Sequence, residues 1–373
     1  MADTQGNSCA EKGSCRRTRS RASRWLDKVA NLSAQKSPGA FVSECKTALM
    51  HWGDTNKVVR ISPEDWNGGA GWFVLGDIHG DFYALLNILL YIIRNARDFR
   101  LVFLGDLVDR GPHQIACIHL LLAVARRHPK RILWLAGNHD IGVNQSSDGL
   151  FASTVFPAEF IDLLNEVDGE SPKRRDLGVA YIDLASNLPR AALAPDGSLF
   201  VHGGIPLVDL QARVASLTTL REKVDWLNSD ECLQDFTWTR ITRYRRKFPN
   251  RISTGCSYGY EDFAAFCGVT HDFFPASRLV TGHEHPRGGA DLHKEWKDNP
   301  ALTLKGFGFD NHYDRPEAFN ALYEQSLVIG RCRNGELPEV VALPVDRVDL
   351  ALFYDEKIAP RFCESSAVID KLI

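Results

Sequence analysis

Five short clusters in this chain set carboxylate, amide or imidazole groups beside glycine. They are Gly76-Asp77-Ile78-His79-Gly80, Gly105-Asp106-Leu107-Val108-Asp109-Arg110-Gly111, Gly137-Asn138-His139-Asp140, His202-Gly203-Gly204 and Gly282-His283-Glu284-His285. Two aspartates, one asparagine and three or four histidines make a mixed oxygen and nitrogen donor set with no thiolate. Such a set suits Mn, Fe, Zn or Co rather than Cu(I), and is too rich in imidazole for Ca or Mg alone. It also exceeds what one tetrahedral ion needs. Two divalent ions sharing a carboxylate account for it, and Asp106, central in the series, is the natural bridge. A pair of ions can bring the pKa of a shared water near neutrality, creating hydroxide in place, and can neutralise phosphoryl oxygens, so hydrolysis by activated water is chemistry that such a centre can perform. Taken singly, Asp-x-His is an ordinary solvated loop and Asn-His an ordinary helix cap. The signal is their order and what precedes each.

Each cluster follows a short apolar run of the kind that forms a buried strand: Trp72 to Leu75, Arg100 to Leu104, Ile132 to Leu135, Leu199 to Val201 and Arg278 to Thr281. Leucine-rich helical patterns lie between them at Phe82 to Ile93 and Gln114 to Arg127, and further strand-like runs occur at Ser326 to Gly330 and Glu339 to Leu343. This alternation predicts an α/β fold with helices covering the sheet. In such folds the strand C-termini share one edge, where ligands bind, so the five clusters should converge. Residues 70–349 are expected to form the catalytic domain. Residues 1–23, with the basic run RRTRSRASR, are expected to be a disordered tail. Trp25, Leu26, Val29, Ala30 and Leu32 recur at helical spacing, which makes 24–69 a helical cap segment, and 350–373 is read as a second tail.

Apolar residues make up 44% of the 373, enough for a substantial core, and a formal net charge of -3 argues against a chain built to coat nucleic acid. Nine scattered cysteines contain no C-x-x-C pair and no zinc spacing, which fits free thiols in a reducing compartment. No apolar run is long enough for a membrane span, and the N-terminus lacks the apolar core of a secretory signal. The cytoplasm is the expected setting, with neither nucleic acid nor membrane as partner.

GDIHGDFYALLNILLY, LVFLGDLVDRG, LAGNHD and NLPRAALAPDGSLFVHGGI resemble successive motifs of the calcineurin-like metallophosphoesterases, and more narrowly of the phosphoprotein phosphatase (serine/threonine phosphatase) family. The resemblance runs over roughly residues 70 to 285. It implies two packed β-sheets flanked by helices, a dinuclear centre, and hydrolysis of phosphoserine and phosphothreonine in proteins. It further implies Asp77, His79 and Asp106 on the first metal, and Asp106, Asn138, His202 and His283 on the second. His139 matches the proton donor, oriented by Asp109; Arg110 matches one phosphate-binding arginine, and Arg251 best matches the other. Manganese is the expected metal in vitro, with iron or zinc as alternatives. The wider superfamily uses both histidines of Gly-His-x-His as ligands, whereas protein phosphatases keep the first, so His285 is either a ligand or a rim residue. Asp140 stands where the family usually has glutamate, Ala136 where an arginine usually precedes, and TLKGFGFDNH lacks the usual loop tyrosine. These departures touch substrate and inhibitor recognition rather than the metal core.

Two other functions compete. A small-molecule hydrolase, such as one cleaving dinucleoside polyphosphates, commonly shows Gln where this chain has His79. A non-catalytic phosphate-binding module should have lost ligands, and none is missing. Trp226, Phe236 and Trp238 are expected to pack the core rather than meet substrate.

Overall fold

The computed structural model describes residues 38–49, 56–68, 71–168, 171–207, 210–249, 254–308 and 327–343. The expected tails at 1–23 and 350–373, and Arg251, lie outside the described residues. Eleven strands form two sheets. In chain order they are β1 (Val58–Arg60), β2 (Trp72–Leu75), β3 (Arg100–Phe103), β4 (Ile132–Trp134), β5 (Ala191–Leu193), β6 (Ser198–Val201), β7 (Arg278–Thr281), β8 (Ala290–Leu292), β9 (Ala301–Leu304), β10 (Leu327–Arg331) and β11 (Glu339–Leu343). One sheet has the order β11-β10-β2-β3-β4, the other β1-β5-β6-β7-β9-β8. Within them β2, β3 and β4 run parallel, as do β6, β7 and β9, while β10 is antiparallel to β2.

The side-chain period of two sorts each strand between two layers. Trp72 and Val74 of β2, Val102 of β3, Phe200 of β6, Val280 of β7 and Leu302 of β9 share one buried cluster, which is therefore the layer between the sheets. Their neighbours face outward. Phe73, Leu75, Leu101 and Phe103 pack under helices α1 (Pro38–Leu49), α2 (Phe82–Asn95), α3 (Gln114–Arg127) and α6 (Ser171–Asn187). Leu199, Val201 and Leu279 pack under α7 (Asp230–Trp238) and α8 (Tyr260–Thr270). Two short helices, α4 (Asn138–Gly142) and α5 (Glu159–Asn165), lie beside the strand ends. The result is the expected α/β fold, with several mixed sheets and flanking helices. The segment expected as a helical cap also supplies β1, which pairs in parallel with β5 in register from Val58 to Arg60, so the sheet starts before residue 70. Among the described residues no helix is long and apolar enough to cross a membrane.

The sheets are tied together where they end. A parallel bridge joins Asp77 to Lys305, and the Asp77 carbonyl accepts the N–H groups of Gly306 and Phe307, both at 2.9 Å. The Asp106 carbonyl accepts those of Ile78 (3.0 Å) and His79 (2.9 Å), and the His202 carbonyl that of Gly282 (2.9 Å). Asp81 caps α2 by accepting the Ala84 N–H at 2.9 Å and holds the Gly308 N–H with its other oxygen, also at 2.9 Å.

Candidate active site

All five turns meet at this edge, each leaving the C-terminal end of a strand. Their backbone is forced. His79, Asp106, Asp109, Arg110 and His283 have φ of 47°, 56°, 67°, 68° and 63°, and they are five of the six non-glycine residues described with positive φ. Each such residue costs about 1–3 kcal/mol and persists only where surrounding contacts over-determine it. Strain concentrated in the chemistry-bearing residues marks a functional site.

Three groups of donor atoms come together: Asp77, His79 and His285; His79, Asp106 and His139; and Asp106, His202 and His283. His285 Nε2 lies 3.0 Å from Asp77 Oδ2, and His79 Nε2 lies 3.6 Å from Asp106 Oδ2. His202 Nε2 is 3.2 Å from Asp106 Oδ2, 2.9 Å from Asn138 Oδ1 and 3.1 Å from His283 Nδ1. The first and third groups are linked through Asp106, which faces both His79 and His202.

The donor set fits bound cations on several independent grounds. His79 Nε2 and His283 Nε2 are buried with no hydrogen-bond partner, an arrangement that is costly unless something else occupies the lone pair. Nδ1 of His79 lies 2.8 Å from the Val108 carbonyl and Nδ1 of His202 lies 3.0 Å from that of Leu104. Donating Nδ1–H there would leave each Nε2 free to face a cation, the arrangement usual for histidine ligands. Burial, then the Arg110 charge, pushes His79 well below its ordinary pKa, and burial with Arg240 does the same to His283. Burial lowers His285 to about 4 against the opposing pull of Asp77. Neutral imidazole is the ligating form. At His202 burial works downward too, but the Asp106 and Asp77 carboxylates overcome it and hold the ring up to about 9. The pocket therefore seeks positive charge. Two glycines keep it open: a Cβ on Gly137 would stand 2.0 Å from Asp106 Oδ1, and one on Gly282 would stand 2.2 Å from Asp77 Oδ1.

Beside the donors sits a dyad. His139 Nδ1 is 2.6 Å from Asp109 Oδ2, both side chains buried, and Asp109 Oδ1 accepts the Phe160 N–H at 2.9 Å. The Gln114 side chain accepts the Asp109 N–H at 2.9 Å. Arg110, whose N–H donates to Glu159 at 2.8 Å, turns its guanidinium toward His285 Nδ1 (3.3 Å) and His139 Nε2 (3.5 Å). Imidazole, arginine and donor clusters thus face one space.

A family model for calcineurin-like phosphoesterases matches residues 73–287, more than half of the chain. The chain belongs to that family. Over 168 residues it is 30% identical to serine/threonine-protein phosphatase PP2A-like PPG1 of Candida albicans, covering 44% of this chain and 36% of that protein. The protein of the same name from Saccharomyces cerevisiae is 30% identical over 167 residues, covering 44% and 40%. The match spans less than half the length of these curated relatives. Among solved structures, a protein serine/threonine phosphatase from Saccharomyces cerevisiae with similarity to human phosphatase PP5 aligns with a TM-score of 0.57 at 17% identity, over 87% of this chain and 97% of that one. At that identity the likeness concerns the fold.

Sequence reasoning missed several residues that position the site of this phosphoesterase. Asp140, noted only as a departure from the family motif, accepts the N–H groups of Asp106 (2.8 Å), Leu107 (3.1 Å) and Gly137 (2.9 Å) and the Tyr181 hydroxyl (2.6 Å). An acid three residues past a glycine at a helix start was a local cue to capping; nothing local pointed to Tyr181. Phe307 lays its ring edgewise to His79 and His285, with centroids 5.3 and 5.0 Å apart. Trp226 and Phe236 are core residues as expected. Trp238 differs: it is only partly buried, and its ring centroid lies 6.4 Å from that of His283. As the last residue of α7, it is carried to the rim where the helix ends, just before Arg240.

Proposed function

We propose that this phosphoesterase is a phosphomonoesterase acting on phosphoserine and phosphothreonine in proteins with two divalent ions. The observation that carries the reading is the buried 2.6 Å contact between His139 and Asp109, set beside Arg110 and against the Asp77/His79/His285 and Asp106/His202/His283 donor groups, with Asp106 facing His79 of the first. Asp77, His79, Asp106 and His285 would hold one ion, and Asp106, Asn138, His202 and His283 the other. Bound there, the ions supply Lewis acidity, activating the attacking water and neutralising phosphoryl charge.

The chain's own groups do the rest. Arg110 offers forked donors to two phosphoryl oxygens and holds the ester in line. As the bond between phosphorus and the seryl or threonyl oxygen breaks, His139 delivers a proton from Nε2 to that oxygen. Asp109 accepts the hydrogen bond from Nδ1–H, so the ring keeps its orientation and its positive form is stabilised. Phe160 and Gln114 fix Asp109 from the far side. The six described cysteines are free, in keeping with the reducing, cytoplasmic setting proposed for the chain.

Purified protein with added Mn should release phosphate from p-nitrophenyl phosphate and from a phosphothreonine peptide. Release from the aryl ester alone would favour a small-molecule hydrolase. Folded protein that turns over neither ester with any divalent ion would overturn the hydrolase reading. The variant His139→Ala should lose about 10²–10⁴ in turnover, the range for a missing proton donor, with metal content unchanged.

A further inference from the structure

We propose that Tyr181 is a positioning residue for the metal centre, acting through Asp140 on the turn that carries Asp106. The inference rests on reading Asp106 as the shared ligand. Asp106 stands at φ 56° directly after Gly105 at φ 101°, a turn that needs outside support to keep its shape. Asp140 is that support. Its Oδ2 accepts the Asp106 and Gly137 N–H groups, and its Oδ1 accepts the Leu107 N–H and the Tyr181 hydroxyl. One carboxylate therefore ties the Asp106 turn to the Asn138 turn, and four donors saturate this fully buried group. Tyr181 makes the shortest of the four contacts, at 2.6 Å. Burial, then the Asp140 charge, holds its hydroxyl well above the ordinary tyrosine range, so it stays a donor.

Tyr181 belongs to neither turn. It sits fully buried on α6, a helix whose outer side packs against α1, with Lys46 bonded to Asp183 at 2.7 Å. Its ring also meets Phe160 edgewise at 5.1 Å, and Phe160 supports Asp109. The ring thus backs the dyad and the hydroxyl backs the bridge. Without the hydroxyl, Asp140 Oδ1 keeps only the 3.1 Å contact from Leu107 N–H, so that end of the carboxylate is held less firmly and the aim of Asp106 at His79 and His202 loosens.

The variant Tyr181→Phe removes the hydroxyl and leaves the ring, so it separates the two branches. The test titrates Mn into full-length metal-free protein and measures kcat and KM on p-nitrophenyl phosphate at limiting and excess Mn. Partners behind metal ligands are worth about 10–100-fold in affinity. The expected result is Mn binding about tenfold weaker, kcat reduced at limiting Mn with KM unchanged, and recovery of kcat in excess Mn. A lower melting temperature with unchanged Mn affinity would reduce Tyr181 to a packing residue and overturn the proposal. Wild-type protein that takes up no Mn would instead overturn the metal reading beneath it, and the two failures are told apart by the wild-type titration.

Discussion

The variant Asp109→Asn tests the chemistry most sharply, because the geometry dictates how the new amide must sit. Asp109 accepts two hydrogens, from Phe160 N–H at Oδ1 (2.9 Å) and from His139 Nδ1 at Oδ2 (2.6 Å), and both side chains are buried. An asparagine has one acceptor and one donor group. The Phe160 N–H can only donate, so it claims the carbonyl and leaves the amide NH₂ against His139 Nδ1. That nitrogen must then accept, the ring hydrogen moves to Nε2, and delivering it would leave an imidazolate. Turning the amide over puts two donors face to face at Phe160. The lost charge-assisted hydrogen bond alone is worth about 1.5–3 kcal/mol, or roughly 10–10²-fold in rate at 1.36 kcal/mol per decade. The wrong tautomer extends the loss toward the ~10²–10⁴-fold span of a missing general acid. The assay compares kcat on two esters. A phosphothreonine peptide has an alkoxide leaving group that needs the proton and should show the full loss. The nitrophenolate of p-nitrophenyl phosphate departs with little help and should lose less than about tenfold. Equal losses on both esters, with two metal equivalents still bound, would refute the assignment of His139 and Asp109.

Three further outcomes are expected. Gly282→Ala places a Cβ 2.2 Å from Asp77 Oδ1, so one metal equivalent should disappear from elemental analysis and turnover should fall by at least ~10² through lost metal assistance; full occupancy with normal turnover would remove Asp77 from the ligand set. Chelation should lower the melting temperature, since ligand at 100 times its dissociation constant stabilises the folded state by about 2.7 kcal/mol, and a scan indifferent to chelator would contradict a buried ion pair. His119, edge-on to Phe41 at 5.4 Å with Nε2 unpartnered, is lowered by burial to about 4. Its folded pKa lies below the unfolded value near 6.5, so the stability it contributes is present above that value and is lost as pH falls through about 4, by roughly 3 kcal/mol in all. Urea unfolding of His119→Leu should match wild type in pH dependence above 7 and fall less steeply between 6.5 and 4; parallel profiles would show the ring is solvated in the folded state.

Much of the site could be read from local pattern because its local rule is simple. An apolar run followed by glycine and a polar residue marks a strand that ends in a turn at the edge of a sheet, and five such endings in one chain can satisfy their chemistry together only if they meet. Those inferences need no knowledge of what lies across the gap.

Other features depended on partners far away in sequence. Asp140 reads as a changed motif ending until Tyr181, 41 residues later, is found bonded to it. No spacing rule places β1 beside β5 across more than a hundred residues, or sets Trp238 against His283. The positive φ of Asp106 is invisible in an aspartate, because the turn is held from outside, by the carboxylate of Asp140 on its N–H and by the Ile78 and His79 N–H groups on its carbonyl. His285 stood undecided between ligand and rim, and only packing put its Nε2 within 3.0 Å of Asp77. Sequence by itself determined which donor groups would gather and at which edge, since donor types and strand periodicity are properties of short segments. Tertiary structure alone decided how those groups are aimed, since orientation is set by buried hydrogen bonds between segments that meet only once the chain has folded.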